Sequence, residues 1–146
     1  MEKKKFSVAI DAPKEKVWNI LWDHATYPLW TAPFCEGSKA ETNWEKGTKV
    51  RFLGPDNEGM VSTIAEKMPN EFMSFKHLGI VKNGIEDYDS QQAKQWDGAL
   101  ENYTLSGANG NTELVVDIDI ADPYLEYFET TWPMALQKVK ELSEKN

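Results

Sequence analysis

Phe6, Val8 and Ile10 alternate with Ser7 and Ala9 near the start of the chain. A period of two marks a strand with one buried face, here Lys5 to Asp11. Asp11-Ala12-Pro13 stops it, and Pro13 suits the first turn of a following helix. Val17, Ile20 and Leu21 then recur at helical spacing, with Trp18 and Trp22 widening the apolar stripe. Pro28 interrupts soon afterwards, so Asp23 to Trp30 reads as a second short helix or a turn.

From Glu36 onward the pattern predicts strands and turns. Lys49-Val50-Arg51-Phe52 alternates, and Gly54-Pro55-Asp56-Asn57 is a strong turn. Met60 to Lys67 and Phe72 to Val81 read as strands separated by Pro69-Asn70. Ile85 to Gln95 is polar and acidic and reads as a long loop. Ala99 to Ser106 and Thr112 to Ile120 form a hairpin around Gly107 to Asn111. In its second strand Leu114, Val116, Ile118 and Ile120 share one face, opposite Asp117 and Asp119, which is the signature of a half-buried antiparallel strand. The glycines read as turn residues.

The chain closes on a helix. Leu125, Phe128, Trp132, Ala135, Leu136, Val139 and Leu142 recur at three- and four-residue steps. Pro133 lies inside this pattern, removes the backbone bond to Glu129 and predicts a kink. The order is strand, two short helices, about six strands by the usual element lengths, then one long helix. Helices segregated from strands make an α+β domain, here a single one over residues 1–146. A curved antiparallel sheet needs its apolar face covered, and the C-terminal helix is the element long and apolar enough to do it.

The net charge of −8 argues against nucleic acid and anionic membrane as partners, since both need a cationic footprint. Lys3-Lys4-Lys5 is the one basic cluster and reads as a solvated strand entrance. The single cysteine, Cys35, has no disulfide partner, no metal-ligand spacing and no adjacent base, and reads as an inert, at least half-buried thiol. The two histidines, His24 and His77, do not make a metal site. No apolar run resembles a signal peptide or a membrane span, which predicts a cytoplasmic protein. No nucleophile elbow, phosphate loop or dinucleotide fingerprint is present, so neither a cofactor nor catalytic residues are assigned.

Several segments carry a resemblance. Val8-Ala9-Ile10-Asp11-Ala12-Pro13 with Val17-Trp18, and Gly47-Thr48-Lys49-Val50, look like the opening of START/Bet v 1-like (SRPBCC) domains. Ser62-Thr63-Ile64-Ala65-Glu66 with Pro69-Asn70-Glu71 resembles their middle strands. Thr112-Glu113-Leu114 and Trp132-Pro133-Met134-Ala135-Leu136 with Val139-Lys140 resemble the branch related to the C-terminal domain of the activator of heat-shock-protein-90 ATPase. The resemblance implies a helix-grip fold, a curved antiparallel sheet wrapped around a long C-terminal helix with a cavity between them. It also implies binding of lipids, sterols, hormones or polyketides in the wider superfamily. One fold hosts many functions, so it does not by itself choose among them. The eukaryotic activators carry a separate N-terminal chaperone-binding domain, for which this chain has no room.

His77 shares strand parity with Met73, Phe75 and Gly79. Glu101 shares it with Tyr103 and Leu105. Both faces are rich in apolar side chains. A His, a Glu and a Tyr aimed into one cavity could orient a polar ligand or exchange protons with it, and His77 and Glu101 could equally satisfy each other. Trp30-Thr31-Ala32-Pro33-Phe34 falls where the short helices meet the sheet, the natural rim of a cavity mouth. These arguments predict that Trp30, Phe34, Phe52, His77, Glu101, Tyr103, Trp132 and Leu136 line one space. They predict binding of a small apolar or amphipathic molecule such as a fatty acid, sterol or flavonoid. Two other readings stay open: a protein-interaction domain of the chaperone-activator type, whose aromatics fill the core, and an enzyme acting on a hydrophobic small molecule.

Overall fold

Glu2–Ile10 forms the first strand, β1. Two helices follow, α1 (Lys14–Trp22) and α2 (Tyr27–Thr31). Pro13 is the residue that precedes α1, in extended backbone, rather than a member of its first turn. Seven strands come next: β2 (Lys39–Glu41), β3 (Lys49–Leu53), β4 (Gly59–Met68), β5 (Phe72–Lys82), β6 (Ile85–Asp87), β7 (Leu100–Ser106) and β8 (Thr112–Ile120). A short helix, α3 (Gln91–Lys94), separates β6 from β7, and a 3-10 turn at Asp122–Tyr124 leads into α4 (Leu125–Glu144). This computed structural model describes residues 1–145.

The segment from Ile85 to Gln95 is therefore not a loop. Its first residues add a strand to β5, pairing Ile80 with Asp87 and Lys82 with Ile85. Gly79 permits the close approach, because a Cβ there would sit 2.4 Å from the Asp87 carbonyl oxygen. Ser90 then caps α3 by accepting the Ala93 amide hydrogen at 3.1 Å, a standard helix start.

All strands belong to one antiparallel, curved and unclosed sheet in the order β1-β8-β7-β5-β4-β3-β2, with β6 added beside β5. Its alternation follows the sequence: Leu114, Val116, Ile118 and Ile120 are buried, while Asp117 and Asp119 on the other face are half-buried. Helix α4 packs against β1, α1 and α2 and buries Thr131, Trp132, Ala135, Leu136, Val139 and Ser143. Pro133 lies within α4 on its exposed side and does not end it. The architecture is α+β and matches the helix-grip fold. No helix among the described residues is long and apolar enough to cross a membrane.

Candidate functional site

A cavity of about 230 Å³ lies where α2, α4 and the sheet meet. Seven of the eight residues expected there line it: Trp30, Phe34, Phe52, His77, Glu101, Tyr103 and Trp132. Leu136 does not. It is one turn further along α4 than Trp132 and is 2% exposed in the close-packed part of the core. Helical spacing places it on the correct face, but a helix face outlasts the cavity it borders.

The aromatic walls come from several elements. Trp132 of α4 meets Phe34 with ring centroids 5.0 Å apart, Tyr103 at 6.0 Å and Trp30 at 6.3 Å. Phe52 stands edge-on to Phe75 at 5.1 Å. Trp30 is fixed by donating its indole N–H to the Leu21 carbonyl at 3.1 Å. Sequence reasoning did not select Tyr27, Met60, Trp96, Ile118 or Asp119, which also border the cavity. Trp96 was hidden by its setting in a polar stretch. Ala93, three residues earlier and fully buried, is the signal that this stretch turns one face inward.

The polar wall is a relay across three strands. His77 on β5 exchanges backbone hydrogen bonds with Ala99 and Gly98, each at 2.8 Å, which fixes the ring's origin at the β5–β7 boundary. Its Nδ1 lies 2.6 Å from the Ser62 hydroxyl on β4 and its Nε2 lies 3.3 Å from Glu101 Oε1. Glu101 Oε2 accepts the hydroxyl hydrogen of Tyr103, two residues along β7. With the proton on Nε2 and Nδ1 accepting from Ser62, every polar atom of the relay has a neighbour of the complementary kind. Ser62 meets His77 because β5 carries an extra residue, Leu78, between the partners of Val61 and Ser62, a break in β5 that strict alternation does not foresee.

His77 and Glu101 are thus both paired and at the cavity, where sequence reasoning had treated pairing and free exposure as alternatives. His77 is 4% exposed, while the Glu101 side chain keeps 22%. The order Ser62–His77–Glu101 is not a nucleophilic triad. The Ser62 hydroxyl is on a fully buried residue that does not line the cavity, so no substrate atom reaches it. His24 sits exposed, 5.7 Å from the Trp44 ring. Cys35 is an exposed free thiol, contrary to the buried or half-buried one expected.

Burial, and then the charge of Glu101, push the Tyr27 and Tyr103 hydroxyls well above the usual phenol range. The folded state therefore holds these protons more tightly than the unfolded chain. The stability they contribute is complete below about pH 10, the ordinary phenol value, and is lost as pH rises beyond it. Tyr103→Phe should flatten the fall in stability between about pH 10 and 12. Urea titrations at fixed pH values measure this, and an unchanged alkaline limb would contradict the assignment.

No family model matches the chain, and no curated protein matches it in sequence. Solved structures do share its fold. A protein from Mesorhizobium loti is 15% identical with a TM-score of 0.75, covering 97% of this chain and 96% of its own. The Aha1 dimer from Colwellia psychrerythraea is 14% identical with a TM-score of 0.75, covering 99% and 97%. An AHSA1-like protein from Aeromonas hydrophila is 16% identical with a TM-score of 0.66, covering 97% and 92%. Fold and site together describe a helix-grip protein with an aromatic-walled cavity. The START/Bet v 1-like resemblance holds at the level of fold, with Aha1-like proteins among those that share it.

Proposed function

We propose that the protein binds a compact apolar or amphipathic molecule in this cavity. The observation that carries the reading is that the aromatic side chains, although packed ring to ring, leave about 230 Å³ among them. That exceeds the roughly 150 Å³ of an apolar cavity that admits benzene and falls below the roughly 300 Å³ where drug-sized pockets begin. One or two rings suit it. A sterol does not, which narrows the ligand classes expected from the sequence. Trp132, 4% exposed and lining the cavity, has an indole N–H with no hydrogen-bond partner among the described residues. A buried donor of this kind costs free energy until an acceptor meets it.

Trp30, Trp96 and Trp132 line the cavity, so occupancy should register in their fluorescence. A panel of one- and two-ring aromatics should contain members that change Trp emission and raise Tm together. Ligand at about 100 times its Kd stabilises the native state by about 2.7 kcal/mol. Native mass spectrometry of the purified protein would show any ligand it retains. A panel without any fluorescence or Tm response, with only the bare chain mass, would refute the reading.

A further inference from the structure

Three charged residues border the cavity: Lys39, Glu101 and Asp119, the last with its side chain turned to the other face of β8. Two of them have partners of opposite charge. Lys39 lies 3.9 Å from Glu41, and Asp119 lies 2.8 Å from Lys3. Glu101 has no lysine or arginine within ion-pair distance among the described residues; its one basic neighbour is His77. Glu101 is the only carboxylate of the relay.

Its two oxygens are unequally used. Oε2 takes the Tyr103 hydroxyl, whereas Oε1 has only the His77 nitrogen at 3.3 Å. A well-formed charge-assisted bond measures about 2.7–2.9 Å. Each carboxylate oxygen can also accept more than one donor. Oε1 therefore keeps capacity for another donor while its side chain retains access to the cavity. Around it stand the rings of Trp30, Phe34, Phe52 and Trp132, whose faces carry negative potential.

We infer that this cavity selects a compact organic cation, a protonated amine on a small ring or branched body, with Glu101 as its counter-ion. The inference rests on the reading of the cavity as a ligand site and adds the charge of the ligand to it. Aromatic faces attract a desolvated cation, and the carboxylate supplies the compensating charge that a neutral ligand leaves unused. An anionic ligand of equal size is disfavoured by the same two features.

The test uses two compounds of nearly the same shape, protonated 2-phenylpropan-2-amine and tert-butylbenzene, titrated into the full chain at pH 8 with Trp fluorescence as the readout. The cation should bind at least about tenfold more tightly, the scale of a desolvated cation–aromatic contact. Glu101→Gln should remove that advantage, read as the ratio of the two compounds' affinities for the same variant. In wild-type protein the cation, and not the neutral compound, should shift the carboxyl carbon-13 resonance of Glu101. This measurement decides the matter if the variant fails to fold. Equal or tighter binding of tert-butylbenzene overturns the cation preference and leaves the ligand cavity standing. An advantage that survives in Glu101→Gln, or an unmoved carboxyl resonance, overturns the role of Glu101. Failure of both compounds to bind overturns the cation preference, and if the wider aromatic panel is silent too, the cavity reading falls with it.

Discussion

Trp132→Ala is expected to lower the unfolding free energy by about 3–5 kcal/mol, the range for large aromatic residues removed from a core. Trp132 is 4% exposed and ties α4 to three other elements. It stacks on Phe6 of β1 at 6.1 Å with planes 19° apart, and it meets Phe34 and Tyr103 at 5.0 and 6.0 Å. The alanine variant would also merge the vacated volume with the existing cavity, so its walls could not close over the gap. Trp132→Phe should retain most of the stability, because the indole N–H it removes has no partner. Equilibrium denaturation in urea measures both. A loss below about 1 kcal/mol for the alanine variant would mean that α4 is not clamped to the sheet through this ring.

The second large effect is predicted at Gly59. A Cβ at this position would lie 1.8 Å from the Phe52 carbonyl oxygen and 2.9 Å from its carbonyl carbon. Both are backbone atoms of the neighbouring strand and cannot rotate aside. Gly59→Ala must therefore push β3 from β4 and carry Phe52 away from the cavity. Overpacking of this kind should cost about 3 kcal/mol or more. In a chain of this length that corresponds to a Tm lowered by roughly 10 °C. Calorimetry would show it, and a Tm within about 2 °C of wild type would mean that β3 and β4 can part at no cost.

Where burial is one-sided and continuous, the sequence was readable. The boundaries of β8 follow directly from four apolar residues alternating with acids, and α4 follows from its helical spacing. The strands β2 and β6 were not readable, because three residues hold too little alternation to show a period. They exist through pairing with β3 and β5, which is tertiary information. Gly59 looked like a turn residue and Gly79 like an ordinary strand residue for a related reason. Their role is to let another backbone pass close by, and only the sheet shows which backbone that is. At the site, parity placed His77, Glu101 and Tyr103 correctly, since β5 and β7 keep regular register from Phe72–Thr104 to Lys76–Leu100. Ser62 escaped because the bulge at Leu78 of β5 changes which neighbour faces it. Leu136 was included in error, because periodicity identifies a buried face and says nothing of where that face is empty.

The sheet does not close on itself, and β1 and β2 are its outer strands. Open margins can template the addition of another chain's strand, the elementary step of fibrous aggregation. The two margins are guarded differently. β2 is only three residues long and offers little to copy. β1 runs for nine residues, and a third of it is the lysine run. Lys3 and Lys5 keep 84% and 70% of their side-chain surface in solvent while reaching Asp119 and Asp117 of β8. Towards the other end of β1, Lys140 of α4 donates to the Ala9 carbonyl and occupies a group that an incoming strand would use. A strand approaching β1 must dehydrate those ammonium groups before it gains a hydrogen bond. The lysine run thus acts as a gatekeeper against polymerisation, and its neutralisation would surface as concentration-dependent sedimentation of a protein whose cavity and fold are unchanged.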